Sequence, residues 1–180
     1  MKSIKEMTQG ELAAFVQSRL REKGVDVVLS GGAAVSLYSN NRYVSLDLDL
    51  VNPYFVKRRA IRETMQEIGF REQGRHFVHP DTQFFVEFPP GPLAVGAEPV
   101  KQVNELTFST GALRIISPTD CVKDRLACYY HWDDFQCLEQ AVLVARANRI
   151  DLHEIEWWSQ AEGKLDEFRR IRDQLTGREK

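Results

Sequence analysis

The sequence predicts an α/β domain followed by a helical segment. Three observations carry that prediction. A β-branched stretch, Val25 to Leu29, runs into the glycine pair Gly31-Gly32; the segment Ser45-Leu46-Asp47-Leu48-Asp49-Leu50 alternates strictly; and helical periodicity takes over from Ser117. The boundary divides the chain into an α/β part, residues 1–116, and a helical part packed on it, residues 117–180.

Each element has its own local signal. Thr8 and Glu11 stand at capping-box spacing, Met7 and Leu12 are placed as a hydrophobic staple, and Gly24 stops the first helix. Val25–Leu29 reads as a strand, Ala33–Tyr38 as a short helix, and Ser45–Val51 as a second strand stopped by Asn52-Pro53. A helix is expected from Val56 to Ile68, closed by Gly69, then strands over His76–His79 and Gln83–Phe88 around the turn Pro80-Asp81-Thr82. Pro89–Pro99 reads as a long loop, and Val103–Phe108 with Ala112–Ile116 as a hairpin. Ser117-Pro118 is an N-cap followed by proline at the first helical position. Helices then follow over Pro118–His131, Asp134–Asn148, Leu152–Gln160 and Lys164–Leu175, the later ones capped by Asp133 and Asp151.

Composition narrows the class. With 43% hydrophobic and 28% charged residues among 180, the chain is globular rather than disordered. A net charge of -2 gives no bulk basic field of the kind that draws nucleic acid. Cys121, Cys128 and Cys137 are odd in number, lack a CxxC spacing and fall in helical segments. The expectation is reduced, packed thiols with neither a disulfide framework nor a zinc site. Neither a signal peptide nor a membrane span is visible, so a cytoplasmic protein with no membrane partner is expected.

The alternating segment carries the chemistry. Leu46, Leu48 and Leu50 form one face of the strand; Ser45, Asp47 and Asp49 form the other. Carboxylates at i and i+2 lie roughly 7 Å apart at Cα and repel unless a cation lies between them. Oxygen ligands held by rigid backbone suit Mg²⁺. Gly31 and Gly32, between strand and helix, let N–H groups approach a phosphate, and Ser30 adds a hydroxyl. A phosphate cradle beside a metal platform points to chemistry on a nucleoside triphosphate.

The combination of Gly31-Gly32, a short helix and Ser45-x-Asp47-x-Asp49 resembles the nucleotidyltransferase superfamily with its DNA polymerase β-like fold. The likeness is to small bacterial members related to abortive-infection and toxin–antitoxin nucleotidyltransferases. The resemblance implies a mixed sheet flanked by helices. It also implies transfer of a nucleoside monophosphate from an NTP such as ATP to a hydroxyl, with release of pyrophosphate. It assigns Ser30, Gly31, Gly32 and Ser45 to the nucleotide and Asp47 and Asp49 to metal, two Mg²⁺ ions with Mn²⁺ as a substitute. A third acid comes from a later strand: Glu87, amid strand aromatics, is favoured over Asp81, which ordinary turn chemistry explains. Lys123 matches a family lysine on the first tail helix that faces the nucleotide.

The acceptor is left open among tRNA, a protein and a small molecule, and a cognate antitoxin is a possible partner. The alternative reading is a non-catalytic nucleotide-binding or interaction module that keeps the fold. Remaining features have plainer explanations. Lys57, Arg58, Arg59 and Arg62 share their helix with Glu63 and Glu67 as a solvated face, and Arg169, Arg170 and Arg172 read the same way. Arg125 and His131, six apart on a helix, point to opposed sides. His76 and His79 do not form a metal pair, and Trp157-Trp158 and Tyr129-Tyr130 are packing residues.

Overall fold

Thr8 fixes the start of α1 (Gln9–Glu22): its hydroxyl accepts from the Glu11 N–H at 3.4 Å, and its own N–H donates to the Glu11 carboxylate at 2.8 Å. That reciprocal box confirms the expected cap. The computed structural model describes residues 2–53 and 58–177, and the strands follow from the same local rules. β1 (Val28–Ser30) is shorter than expected and leads directly into α2 (Gly31–Tyr38), which begins on the glycine pair itself. β2 is Asp47–Val51, with Leu48 and Leu50 fully buried; Leu46, expected in that face, precedes the strand and is 44% exposed. α3 spans Arg58–Glu67; the expected start at Val56, and Lys57 of the basic run, lie outside the described residues.

β3 (Arg71–Gln73) and β4 (His76–Val78) form a hairpin around Gly74, followed by β5 (Phe85–Glu87). β3 has no apolar alternation, so its pairing with β4, not its sequence, makes it a strand. The Pro89–Pro99 loop contains the short pair β6 (Ala94–Val95) and β7 (Glu98–Pro99). β8 (Val103–Phe108) and β9 (Gly111–Ile116) are the expected hairpin. Four helices complete the chain: α4 (Pro118–Trp132), α5 (Phe135–Ala147), α6 (Leu152–Ala161) and α7 (Leu165–Thr176). Ser117 and Asp151 cap their helices as expected, each accepting from a first-turn N–H, whereas α5 is capped by Asp134, one residue past the expected Asp133, which ends α4 in a left-handed conformation.

The main sheet has the order β3-β4-β5-β2-β1-β9-β8 and is mixed: β1 pairs antiparallel with β2 and parallel with β9, while β2 pairs parallel with β5. α1 packs along β9 and β8, and the Gln17 amide bonds both the N–H and the C=O of Arg114. One hydrophobic core runs from Leu12 and Leu48 through Leu126 to Trp158 and Phe168, so the helical segment shares the core of the sheet. A polar tie joins the two as well: Asn148 Nδ2 donates to Tyr38 O at 2.8 Å, while Tyr38 Oη donates to Ile116 O at 2.8 Å within the α/β part.

Two further details differ from the sequence expectation. Cys128, in the last turns of α4, and Cys137, in the first turn of α5, are joined by a disulfide with their Cα atoms 6.0 Å apart. The antiparallel helical hairpin brings together two thiols that cysteine counting treated as independent, leaving Cys121 buried and free. The second is Lys123, fully buried at 1% exposure. Its Nζ lies 2.8 Å from Asp120, 2.9 Å from Glu154 on α6 and 3.3 Å from Glu98 on β7. Burial alone would lower its pKa, but the bonds to Asp120 and Glu154 outweigh burial and hold it above the usual lysine value.

Lys123 is therefore the cationic tie between the helical segment and the β6–β7 loop. Lys123→Ala, which leaves those carboxylates without their buried partner, is expected to cost about 3–5 kcal/mol. Urea unfolding of the variant against the parent protein measures this; a loss below about 1 kcal/mol would show that the tie is dispensable.

Candidate active site

The sheet register puts the functional side chains in one row. Ser30 of β1 pairs with Asp49 of β2, Asp49 pairs with Glu87 of β5, and Glu87 pairs with His76 of β4. Directly paired residues share a sheet face, so these four side chains cross it as neighbours. Asp47 stands two residues along β2, beside Phe85. This placement follows from the alternation seen in the sequence: with Leu48, Leu50 and Val86 fully buried, the acids take the opposite face.

Above the row lies the start of α2. Gly31 has φ +65, and a Cβ there would collide with the Asp49 carboxylate. A Cβ on Gly32 would sit 2.7 Å from Ser45 Oγ. The glycine pair is thus required twice, for a backbone conformation that L side chains avoid and for the approach of the helix N-terminus to the acids. Ser30, the residue before that helix, makes no side-chain cap bond. The first turn of α2, a two-turn helix, thus starts against the partly buried Asp49 carboxylate.

The electrostatics are those of crowded like charges. Burial pushes the Asp49 pKa up from 3.8 to about 7; the neighbouring Asp47 and Glu87 charges add to the rise, and Arg125 opposes it. Arg125 on α4 is 18% exposed at its side chain and pairs with Asp124 at 2.5 Å. It is the cation that acts on Asp49. Lys123, which the sequence expectation places facing the nucleotide, is instead buried among Asp120, Glu98 and Glu154. Positions two apart on a helix point about 200° apart, so where Lys123 turns inward Arg125 turns to the sheet. That periodicity was available in the sequence; which of the two faced the strands was not.

The carboxylates do not converge as they stand. Ser45 Oγ donates to Asp47 Oδ1, and Glu87 contacts His76 Nε2, with Arg75 3.6 Å away. His76 in turn packs on Phe85, ring centroids 4.7 Å apart. Among the described residues, three metal-ligating atoms gather within 4.8 Å only at Cys128, Asp134 and Cys137, not at the acids of the sheet. The backbone thus assembles Asp47, Asp49 and Glu87 into one patch, while Ser45 and His76 hold two of the side chains aside. His76 was not read as part of this site, because only strand register reveals its pairing with Glu87. Asp81 lies in its turn, its N–H donating to His79 Nδ1 at 3.1 Å, as turn chemistry predicted. The basic run on α3 is committed locally: Arg58 and Arg62 pair with Glu72, and Arg59 with Glu63.

The donor set fits a divalent cation. A partly buried carboxylate whose pKa is lifted first by burial and then by two carboxylate neighbours is relieved by a cation, and hard oxygen ligands are what Mg²⁺ takes. Asp47 and Asp49 are the residues that would hold it, with Glu87 beside Asp49 on the neighbouring strand.

No protein-family model matches the chain, and no curated protein does. Two solved structures of ANT(2'')-Ia are similar. One is a crystal structure in complex with adenylyl-2''-tobramycin: TM-score 0.54, 14% identity, covering 82% of this chain and 92% of that one. The other is a solution structure of that antibiotic-resistance factor: TM-score 0.50, 16% identity, covering 90% and 91% respectively. At such identity the likeness is one of fold, and the chain has the mixed α+β fold of nucleotidyltransferases. No described helix is long and apolar enough to cross a membrane.

The Asp49 shift has a consequence for stability. Its pKa is higher folded than unfolded, so the cost of ionising it is absent below about pH 4, grows as pH rises and is complete above about pH 7. In metal-free buffer, Asp49→Asn is expected to raise the melting temperature by roughly 5 °C at pH 8 and to leave it nearly unchanged at pH 4. A pH-independent difference between the two proteins would contradict the assigned crowding.

Proposed function

We propose that the protein is a Mg²⁺-dependent nucleotidyltransferase that moves a nucleoside monophosphate from an NTP to a hydroxyl acceptor and releases pyrophosphate. The observation that carries the reading is the Ser30–Asp49–Glu87 row beneath the glycine-started helix α2. It sets phosphate donors and metal-type ligands side by side. The fold likeness to ANT(2'')-Ia supports the same class of reaction.

The divalent ion, when bound, supplies charge neutralisation at the phosphates of the NTP. The chain's own groups do the rest. The N–H groups of Gly31 and Gly32 and the Ser30 hydroxyl bind and orient the trailing phosphates. Asp47 and Asp49 hold the metal ligand positions from one rigid strand, and Ser45 fixes the Asp47 carboxylate. Arg125 places positive charge beside the acids, where the departing pyrophosphate would accumulate negative charge. Glu87, freed from His76, takes the proton of the acceptor hydroxyl. The oxygen then attacks the α-phosphorus and the bond to the pyrophosphate breaks, a transfer that positioning and electrostatics suffice to accelerate. ANT(2'')-Ia was captured with an adenylylated tobramycin, so aminoglycoside hydroxyls belong among the acceptors assayed, beside tRNA and protein.

One observation favours a second reading, a nucleotide-binding module without transfer: the Glu87 carboxylate is already partnered by His76 and Arg75. The two readings separate in one assay. Purified protein is incubated with Mg²⁺, each labelled NTP and the acceptor panel, and pyrophosphate and labelled product are followed. Transfer that falls roughly 10³-fold or more in Asp47→Asn and in Asp49→Asn, and substantially in Glu87→Gln, is the expected result. Nucleotide binding with no transfer to any acceptor would establish the second reading.

A further inference from the structure

We infer that Cys128 and Cys137 are a reversible thiol–disulfide site that sets the position of Arg125 in the nucleotide site; the functional consequence rests on the reading above. The argument begins with the α4–α5 hairpin. On α4, Arg125 and Cys128 are three residues apart and share a face; on α5, Cys137 and Gln140 do the same. The helices run antiparallel, so these residues meet as consecutive rungs. Cys128 bonds Cys137, and one turn further Arg125 Nη1 donates to Gln140 Oε1 at 3.4 Å. Gln140 is 4% exposed, so this rung is internal to the hairpin. The same guanidinium also bonds Asp124 through Nε and Nη2, and it is the one acting on Asp49. α5 also packs against α2, the helix that opens on Gly31-Gly32.

The two sulfurs are unequal in a way that suits exchange. Cys128 is partly exposed, whereas Cys137 is 5% exposed and lies in the first turn of α5. The amide dipoles at that helix start stabilise negative charge on the Cys137 sulfur, which makes it the better leaving group. Asp134 sets negative charge beside both sulfurs, its carboxylate 3.9 Å from Cys128 Sγ and within 4.8 Å of Cys137 Sγ, so exposure and the helix start are what distinguish the two. A small-molecule thiolate therefore attacks Cys128; the protein S–S bond breaks and Cys137 leaves as thiolate. A second small-molecule thiolate attacks the external sulfur of the mixed disulfide and releases Cys128. Two small-molecule thiols are oxidised to one disulfide, and their two protons end on Cys128 and Cys137. A low-molecular-weight disulfide of the glutathione class reverses the sequence. Cys121 takes no part, since burial pushes its thiol up and encloses it.

The test uses the full chain equilibrated in glutathione redox buffers. Thiol alkylation with mass analysis reads the state of each cysteine. Hydrogen exchange of the α4 amides around Arg125, and the affinity for a Mg²⁺-bound non-hydrolysable NTP analogue, read the coupling. Expected are complete interconversion of Cys128 and Cys137, faster α4 exchange on reduction, and an affinity change of about fivefold or more between states. Cys128→Ser, at the partly exposed position, should lock the reduced behaviour, with Cys137→Ser as the second variant. Failure of the pair to form across the buffers, or formation with unchanged exchange around Arg125, overturns the inference. So does stoichiometric Zn²⁺ retained by the reduced protein that blocks oxidation, which would make Cys128, Asp134 and Cys137 a metal centre instead. If exchange responds to redox state but no nucleotide binds in either state, the redox coupling stands and the proposed function fails.

Discussion

A carboxylate on a central strand, mostly shielded from water and flanked by two others, is an expensive thing to build into a small domain. Asp49 is that group, pushed up to about 7 by burial and by Asp47 and Glu87. The surrounding structure is arranged around it. β2 lies between β1 and β5, so that Ser30 and Glu87 fall beside it. The glycine pair lets a helix start where any side chain would strike it. The buried leucines of the same strand anchor it rigidly from the other face. Without an incoming cation this arrangement works against the fold, which is why it reads as a site and not as a packing solution.

The helical segment completes the arrangement by dividing its cations. Lys123 is drawn inward to neutralise Asp120, Glu98 and Glu154, locking α4 and α6 to the β6–β7 loop. Lys101 joins this cluster from the loop, 2.6 Å from Glu98, and lies over the Trp157 ring. With α4 fixed in that way, Arg125 two residues on is presented to the acids of the sheet. The charge that ties the helix into the core and the charge presented to the acids are thus separated by its rotation.

Much of this was legible in the sequence, because it rested on local rules. The Thr8–Glu11 box, the Ser117-Pro118 start, the alternation that puts Asp47 and Asp49 on one strand face, and the glycine pair each announce themselves within a few residues. What was hidden depended on contacts distant in the chain. β3 became a strand through its partner; Glu87 met His76 through sheet register; Lys123 met Glu98 and Glu154 through tertiary packing. The Cys128–Cys137 bond needed the α4–α5 turn, where Asp133 takes a left-handed conformation and reverses the chain. Cysteine counting has no access to that geometry.

The central claim is that the Asp49 patch is built to receive a divalent cation. Calorimetric titration of Mg²⁺ into the protein at pH 6.5, in the presence of a non-hydrolysable NTP analogue and in buffers of differing ionisation enthalpy, tests it most directly. With Asp49 titrating near pH 7, binding should release a substantial fraction of a proton, and that release should vanish in Asp49→Asn. Binding that releases no proton, or a release that persists unchanged in Asp49→Asn, would contradict the account.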